Sequence, residues 1–157
     1  MRKGVPGPET VASHSWGVAW LVLALAPPEL DRGRALAYAT VHDVAEVRVG
    51  DLTPADRVPA EEKSRRERTA MAAMDSELGS PRLLSLWDRY EAQADREARF
   101  VRELDRLDMA LQALAYHEAG SPGMEEFLDS ADAAIRDPTL RPWIDSIRLR
   151  MRSGAVR

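Results

Sequence analysis

The chain of 157 residues has no cysteine. That excludes disulfide bridges, thiolate nucleophiles and zinc–thiolate sites. It has two lysines, Lys3 and Lys63, among 22 cationic residues. The arginine excess, with the many alanines, reads as coding bias rather than chemistry. It has no surplus of positive charge either: the formal net charge is −4. A protein that coats a nucleic acid polymer needs a basic face, so that class is disfavoured. A small anionic substrate stays allowed, because a site can be positive locally. The longest apolar run, residues 18–26, falls short of the ~20 residues that span a bilayer. No basic segment with a cleavage site precedes it, so neither a membrane span nor a signal peptide is expected. The expected compartment is the cytoplasm. Strand-like alternation of apolar and polar residues, internal repeats, low-complexity stretches and interdomain linkers are all missing.

What is present reads as helix. Hydrophobic residues make up 45% and charged residues 31%, the balance of an ordinary globular protein large enough to bury a core. Val11, Val18, Leu21, Val22 and Leu25 recur at three- and four-residue spacing, with His14 on the same face, until Pro27-Pro28 stops the helix. Asp31 is placed to cap a second helix reaching about Asp43, followed by a short turn of helix that Gly50 closes. Further helices are expected over residues 59–78, 81–93, 95–119, 124–134 and 139–152. Phe100, Leu104, Leu107, Leu111 and Leu114 form the apolar stripe of the longest. Trp143, Ile144 and Ile147 on the last helix read as core, with a contact face as the other option. The expectation is an all-α bundle of six to seven helices, one domain over residues 1–152, with 153–157 as a frayed tail.

Into this bundle the sequence places His14, the adjacent pair His42 and Asp43, and then Asp105, on successive helices. Imidazole nitrogen and carboxylate oxygen together suit a divalent metal of borderline hardness. Two anionic and two neutral ligands balance the ion's charge and leave positions open for water and substrate. His42 and Asp43 project about 100° apart on a helix, so both can reach one ion near its end. Each residue also has a plainer reading. His14 alone is more often a hydrogen-bonded core histidine, and a lone His-Asp pair is usually incidental. Asp105 alone is usually one of a solvated face, as Glu103 and Asp108 are read to be. Spacing by itself leaves the two readings about even.

The landmarks match a known family. Pro8-Glu9-Thr10-Val11-Ala12-Ser13-His14-Ser15 is similar to the first-histidine segment of the HD-domain metal-dependent phosphohydrolases, specifically the small 5′-deoxynucleotidases. Val41-His42-Asp43-Val44-Ala45-Glu46 and Val49-Gly50-Asp51-Leu52-Thr53-Pro54-Ala55-Asp56 resemble the HD motif and its continuation. The segments 59–67, 86–91 and 98–105 also fit. The resemblance implies an HD-domain bundle with one catalytic divalent ion on His14, His42, Asp43 and Asp105. Manganese, cobalt, iron, magnesium and zinc all tolerate such ligands. It implies that Glu46 and Asp51 are needed for activity. Glu46, four residues after His42, shares the metal-facing surface if the helix continues, where it would orient or deprotonate a water. Asp51 would bond the sugar 3′-hydroxyl or help protonate the leaving oxygen. The implied substrate is a nucleoside 5′-monophosphate, with no nucleic acid polymer or membrane as partner and a homodimer as the possible assembly.

Other features qualify the resemblance. No histidine lies between Asp43 and Asp105, which favours a single metal over the two-metal relatives, and His117 is expected at the surface. The family usually has an acid before its first histidine. Here Ser13 stands there, so a carboxylate that orients the ligand is absent or is replaced by Glu9. Relatives also carry an N-terminal helix and an Arg-x-Gly-Trp-like segment before the point matching Met1. The helix is expected to be missing, and Arg2 or Lys3 would then supply the positive charge for the substrate phosphate. Two other readings stand beside the leading one: an HD phosphohydrolase acting on a modified nucleotide in a specialised biosynthetic pathway, and a helical binding protein without turnover.

Overall fold

In the computed structural model, which describes residues 5, 7–50, 56–79 and 82–154, eight helical segments and no strands are found. The first, α1 (Val11–Leu25), starts at a reciprocal cap. The Thr10 hydroxyl accepts the Ser13 N–H at 3.1 Å and the Ser13 hydroxyl accepts the Thr10 N–H at 2.8 Å. In α2 (Arg32–Val41), the Asp31 carboxylate accepts the Arg34 N–H at 3.0 Å. The chain then tightens. Val44 N–H bonds to Val41 C=O, and Glu46 N–H to Asp43 C=O, at 3.2 and 3.0 Å, so i→i+3 turns replace the α-helical ladder. After this break comes the four-residue α3 (Glu46–Val49), which ends at Gly50 with φ +80°, a conformation costly for a residue with a Cβ.

The remaining helices are α4 (Ala60–Leu78), α5 (Leu83–Glu91), α6 (Arg96–Glu118), α7 (Glu125–Ala134) and α8 (Arg141–Gly154). The boundaries follow the sequence pattern within a few residues, and α8 runs two residues past its expected end. The second helix stops at Val41, short of the expected Asp43. The reason is a tertiary contact: the His42 carbonyl accepts the Trp87 indole N–H at 3.2 Å instead of continuing the ladder.

The long α6 is the spine, packing against α1, α2, α5, α7 and α8. Leu104 and Leu107 are fully buried, and Phe100, Val101, Ala110, Ala113 and Leu114 extend the same stripe. Each fully buried Leu contributes about 1.5–3 kcal/mol relative to exposure. Asp95 caps this helix through the Ala98 N–H at 2.9 Å and accepts the Tyr38 hydroxyl at 2.8 Å, which ties α2 to its start. A second, smaller cluster of Ala45, Ala70, Met71 and Trp87 lies under the turn between α2 and α3. Ile144 and Ile147 belong to the main core, so the core reading of α8 holds, while Trp143 is 43% exposed. His117 departs from its expected surface position. The end of α8 folds back over it, and its Nε2 lies 3.1 Å from the Met151 carbonyl. The α1 helix is apolar nearly all round and exposes Trp16, Trp20 and Leu23. No described helix is long and apolar enough to cross a membrane.

Candidate metal centre

Four of the expected site residues come together from three places in the fold: His14 from α1, His42 and Asp43 from the turn after α2, and Asp105 from α6. The His14 and His42 Nε2 atoms are 3.3 Å apart. His14 Nε2 lies 3.3 Å from Asp105 Oδ1 and 3.5 Å from Asp43 Oδ2, and His42 Nε2 lies 3.3 Å from the same Asp43 oxygen. The ligand atoms of His14, His42 and Asp105 all fall within 4.8 Å of one another, and Asp43 joins through both imidazoles. Bonds of ~2.0–2.2 Å to one ion set neighbouring ligand atoms ~2.8–3.6 Å apart. The four imidazole separations of 3.3–3.5 Å lie in that range, so the donor set fits a single divalent ion in chemistry and, around the two imidazoles, in spacing.

Each imidazole is held by its other nitrogen. His42 is 5% exposed, and its Nδ1–H donates to the Ala39 carbonyl at 3.0 Å. A carbonyl can only accept, so the proton sits on Nδ1 and the Nε2 lone pair faces the centre. His14 Nδ1–H donates to Asp108 Oδ2 at 2.8 Å, which orients that ring in the same way. The buried Tyr90 ring meets His42 edge to face, with ring centroids 5.7 Å apart.

Asp108 is therefore no part of a solvated face, as its sequence position suggested. It is a partly buried carboxylate, one helical turn past Asp105, that fixes a histidine. Two features account for its place. The three-residue spacing from Asp105 puts both on one face of α6. Gly17, one turn past His14, sits where a Cβ would come 2.5 Å from Asp108 Oδ1, so only glycine leaves room for the approach. The expected absence of an orienting carboxylate is thus made good from α6, with Glu9 close to the same His14–Asp108 pair. Ser13 caps α1 instead.

The electrostatics agree with a cation trap. Burial opposes a charge on His14, but the carboxylates of Asp105, Asp108 and Asp43 outweigh it and raise its pKa to about 11. Burial likewise pushes Asp105 up, but His14, Arg106 and His42 prevail and hold it below the usual carboxylate range. The side chains thus favour positive charge between them, whether a proton or a metal ion carries it.

Glu46 does not continue the helix that carries His42, because the chain breaks between them. It opens α3, is 13% exposed at its side chain, and meets the Lys63 ammonium of α4 at 3.8 Å. Asp51, Arg2 and Lys3 lie outside the described residues. Glu103 accepts the backbone N–H groups of Arg136 and Asp137 at 2.8 and 2.7 Å.

The HD domain family model matches residues 1–138. The chain belongs to the HD-domain family. Among HD-domain proteins, the 5′-deoxynucleotidase HDDC2 of Bos taurus is 38% identical over 143 residues, which cover 88% of this chain and 70% of that protein. The 5′-deoxynucleotidase hdd1 of Schizosaccharomyces pombe is 30% identical, over 92% of this chain and 77% of its own length. A conserved hypothetical protein from Pyrococcus furiosus superposes with a TM-score of 0.77 at 32% identity, covering 94% of this chain and 87% of that one. The all-α HD bundle implied by the sequence landmarks is the fold found. His14, His42, Asp43 and Asp105, the residues singled out in the sequence, are the ones gathered beside α6.

Proposed function

We propose that this HD-domain chain is a metal-dependent phosphohydrolase that releases phosphate from deoxynucleoside 5′-monophosphates. The observation that carries the reading is the gathering of the His14, His42 and Asp105 ligand atoms within 4.8 Å of one another, with an Asp43 oxygen 3.3–3.5 Å from both imidazoles and the spare nitrogen of each imidazole tied down. The deoxynucleotidase names of its relatives support the substrate class.

His14, His42, Asp43 and Asp105 hold one divalent ion, with manganese, cobalt, iron, magnesium and zinc all compatible with the donor set. When bound, that ion polarises a phosphoryl oxygen and acidifies a water. Glu46 orients the attacking water and takes its proton as the new O–P bond forms and the P–O5′ bond breaks. The departing sugar oxygen leaves as a hydroxyl, taking its proton from Asp51 or, where Asp51 instead accepts the sugar 3′-hydroxyl, the proton that Glu46 took from the water. Arg2 and Lys3 are the proposed cations for the substrate phosphate. Asp108 and the Ala39 carbonyl keep both imidazoles aimed at the centre.

The test is phosphate release from paired deoxy- and ribonucleoside 5′-monophosphates, each with the five metals added in turn. Release from the deoxy substrates, and its loss together with bound metal in His42→Ala, is the expected result. Metal bound without release from any nucleotide would instead favour a binding protein.

A further inference from the structure

Lys63 stands out in a chain that uses arginine for nearly every cation. Its ammonium lies between two carboxylates, 3.4 Å from Glu67 and 3.8 Å from Glu46. Glu67 is 8% exposed on the inner side of α4. Burial pushes its carboxyl pKa up, Lys63 opposes this, and the Asp43 charge adds to the upward push. An unpaired carboxylate there would be costly, so Glu67 and Lys63 hold each other in place.

Helix stability does not account for the pair. A lysine four residues before a glutamate is the less favourable order for an i,i+4 contact on a helix. Nor can α3 place Glu46 by itself. Four residues are too few to sustain a helix, so its position is borrowed from α4. One link is the two-pronged pair of Arg48 with Glu77, at 3.0 Å on the first prong, and another is the packing of Val44 and Val49 on the cluster around Met71 and Trp87. Those contacts fix the backbone of α3. The glutamate side chain still has rotatable bonds, and the ammonium restricts them. A compact ammonium can sit between two carboxylates at these distances, whereas a planar guanidinium on a longer arm would have to displace one of them.

We propose that Lys63, anchored by the buried Glu67, is a positioning residue that holds the Glu46 carboxylate at the angle from which it works on the attacking water. This rests on the role assigned to Glu46 above. It differs from a role in holding the phosphate, which would be felt in substrate binding.

The experiment is a double-mutant cycle of Lys63→Met and Glu46→Gln in the metal-loaded full chain, with 2′-deoxyadenosine 5′-monophosphate as substrate and metal affinity measured in parallel. Lys63→Met should lower kcat roughly tenfold to a hundredfold, as expected for a misplaced catalytic group. KM should stay within about twofold and metal affinity should not change. In the Glu46→Gln background the same change should cost no further activity. Full activity of Glu46→Gln would remove the assigned role of Glu46 itself. If Glu46→Gln is crippled, parent-like kcat in Lys63→Met, or losses that multiply in the double variant, would overturn the positioning role alone. A raised KM with kcat intact would overturn it in favour of a phosphate contact. Should Lys63→Met fail to fold, Glu67→Gln keeps the side-chain shape and loosens the anchor. It should lower kcat in the parent but not in Glu46→Gln, and an unchanged kcat would refute the idea.

Discussion

Gly17→Ala should damage a metal centre that it does not touch. In an ordinary helix interior, replacing glycine by alanine stabilises by about 0.5–1 kcal/mol. Here the added Cβ would sit 2.5 Å from Asp108 Oδ1, and the carboxylate must retreat toward the 3.4 Å of ordinary contact. Asp108 has a short side chain, and its other oxygen is held 2.8 Å from His14 Nδ1. A retreat of almost an ångström takes that bond past the range in which hydrogen bonds are made. Losing a bond of this charged kind costs about 1.5–3 kcal/mol, and the helix gain offsets about 1 of it. The metal-free variant should therefore unfold roughly 1–8 °C lower. An imidazole freed from its orienting carboxylate typically costs 10- to 100-fold in metal affinity. Scanning calorimetry of the metal-free protein and titration calorimetry with manganese measure both effects. An Asp108→Ala background supplies the internal control: with the carboxylate gone, the alanine at 17 should stabilise. A Gly17→Ala protein that melts higher than the parent and binds metal equally well would show that Asp108 does not orient His14.

Two further outcomes follow from the same geometry. Because carboxylates raise the His14 pKa to about 11, an incoming ion must displace a proton from it below that pH. Apparent metal affinity should climb about tenfold per pH unit across roughly pH 7–9, with one proton released per ion, as calorimetry in buffers of different ionisation enthalpy would report. In the metal-free protein, the stability gained from charged His14 should be complete below its ordinary pKa of about 6.5 and fade as pH rises toward 11. A flat affinity profile would refute the competition. Trp87→Phe removes the indole N–H from the His42 carbonyl in a buried setting. The orphaned carbonyl should cost about 1–3 kcal/mol, lowering the melting temperature by several degrees and weakening metal binding as the turn loosens. A melting temperature within about 1 °C of the parent would show that the indole does not set that turn.

The helices were legible because their signals are local. Apolar spacing, the Asp31 cap and Pro27-Pro28 act within one or two turns of chain. His14, His42, Asp43 and Asp105 were legible as a set of ligand types in order, and the family resemblance gave that order its meaning. Two details were not. The break at His42 depends on an indole 45 residues away, which no local propensity reports. Asp108 looked like any charged residue on a long helix, because its partner is 94 residues distant and on another helix. His117 misled for the same reason, since α8 covers it from outside its own segment.

By itself, the sequence determined the helical class, the absence of thiol chemistry and the inventory of candidate imidazole and carboxylate side chains, since these depend on residue type and short-range periodicity. Only the tertiary structure decided that His14, His42, Asp43 and Asp105 converge from α1, the turn after α2 and α6, that Asp108 and not Glu9 bonds His14, and that Glu46 faces Lys63. Those outcomes depend on how α1 and α4 pack beside α6 and the α2–α3 turn. That packing is a balance of many buried contacts between segments far apart in the chain, and no single stretch of residues encodes it.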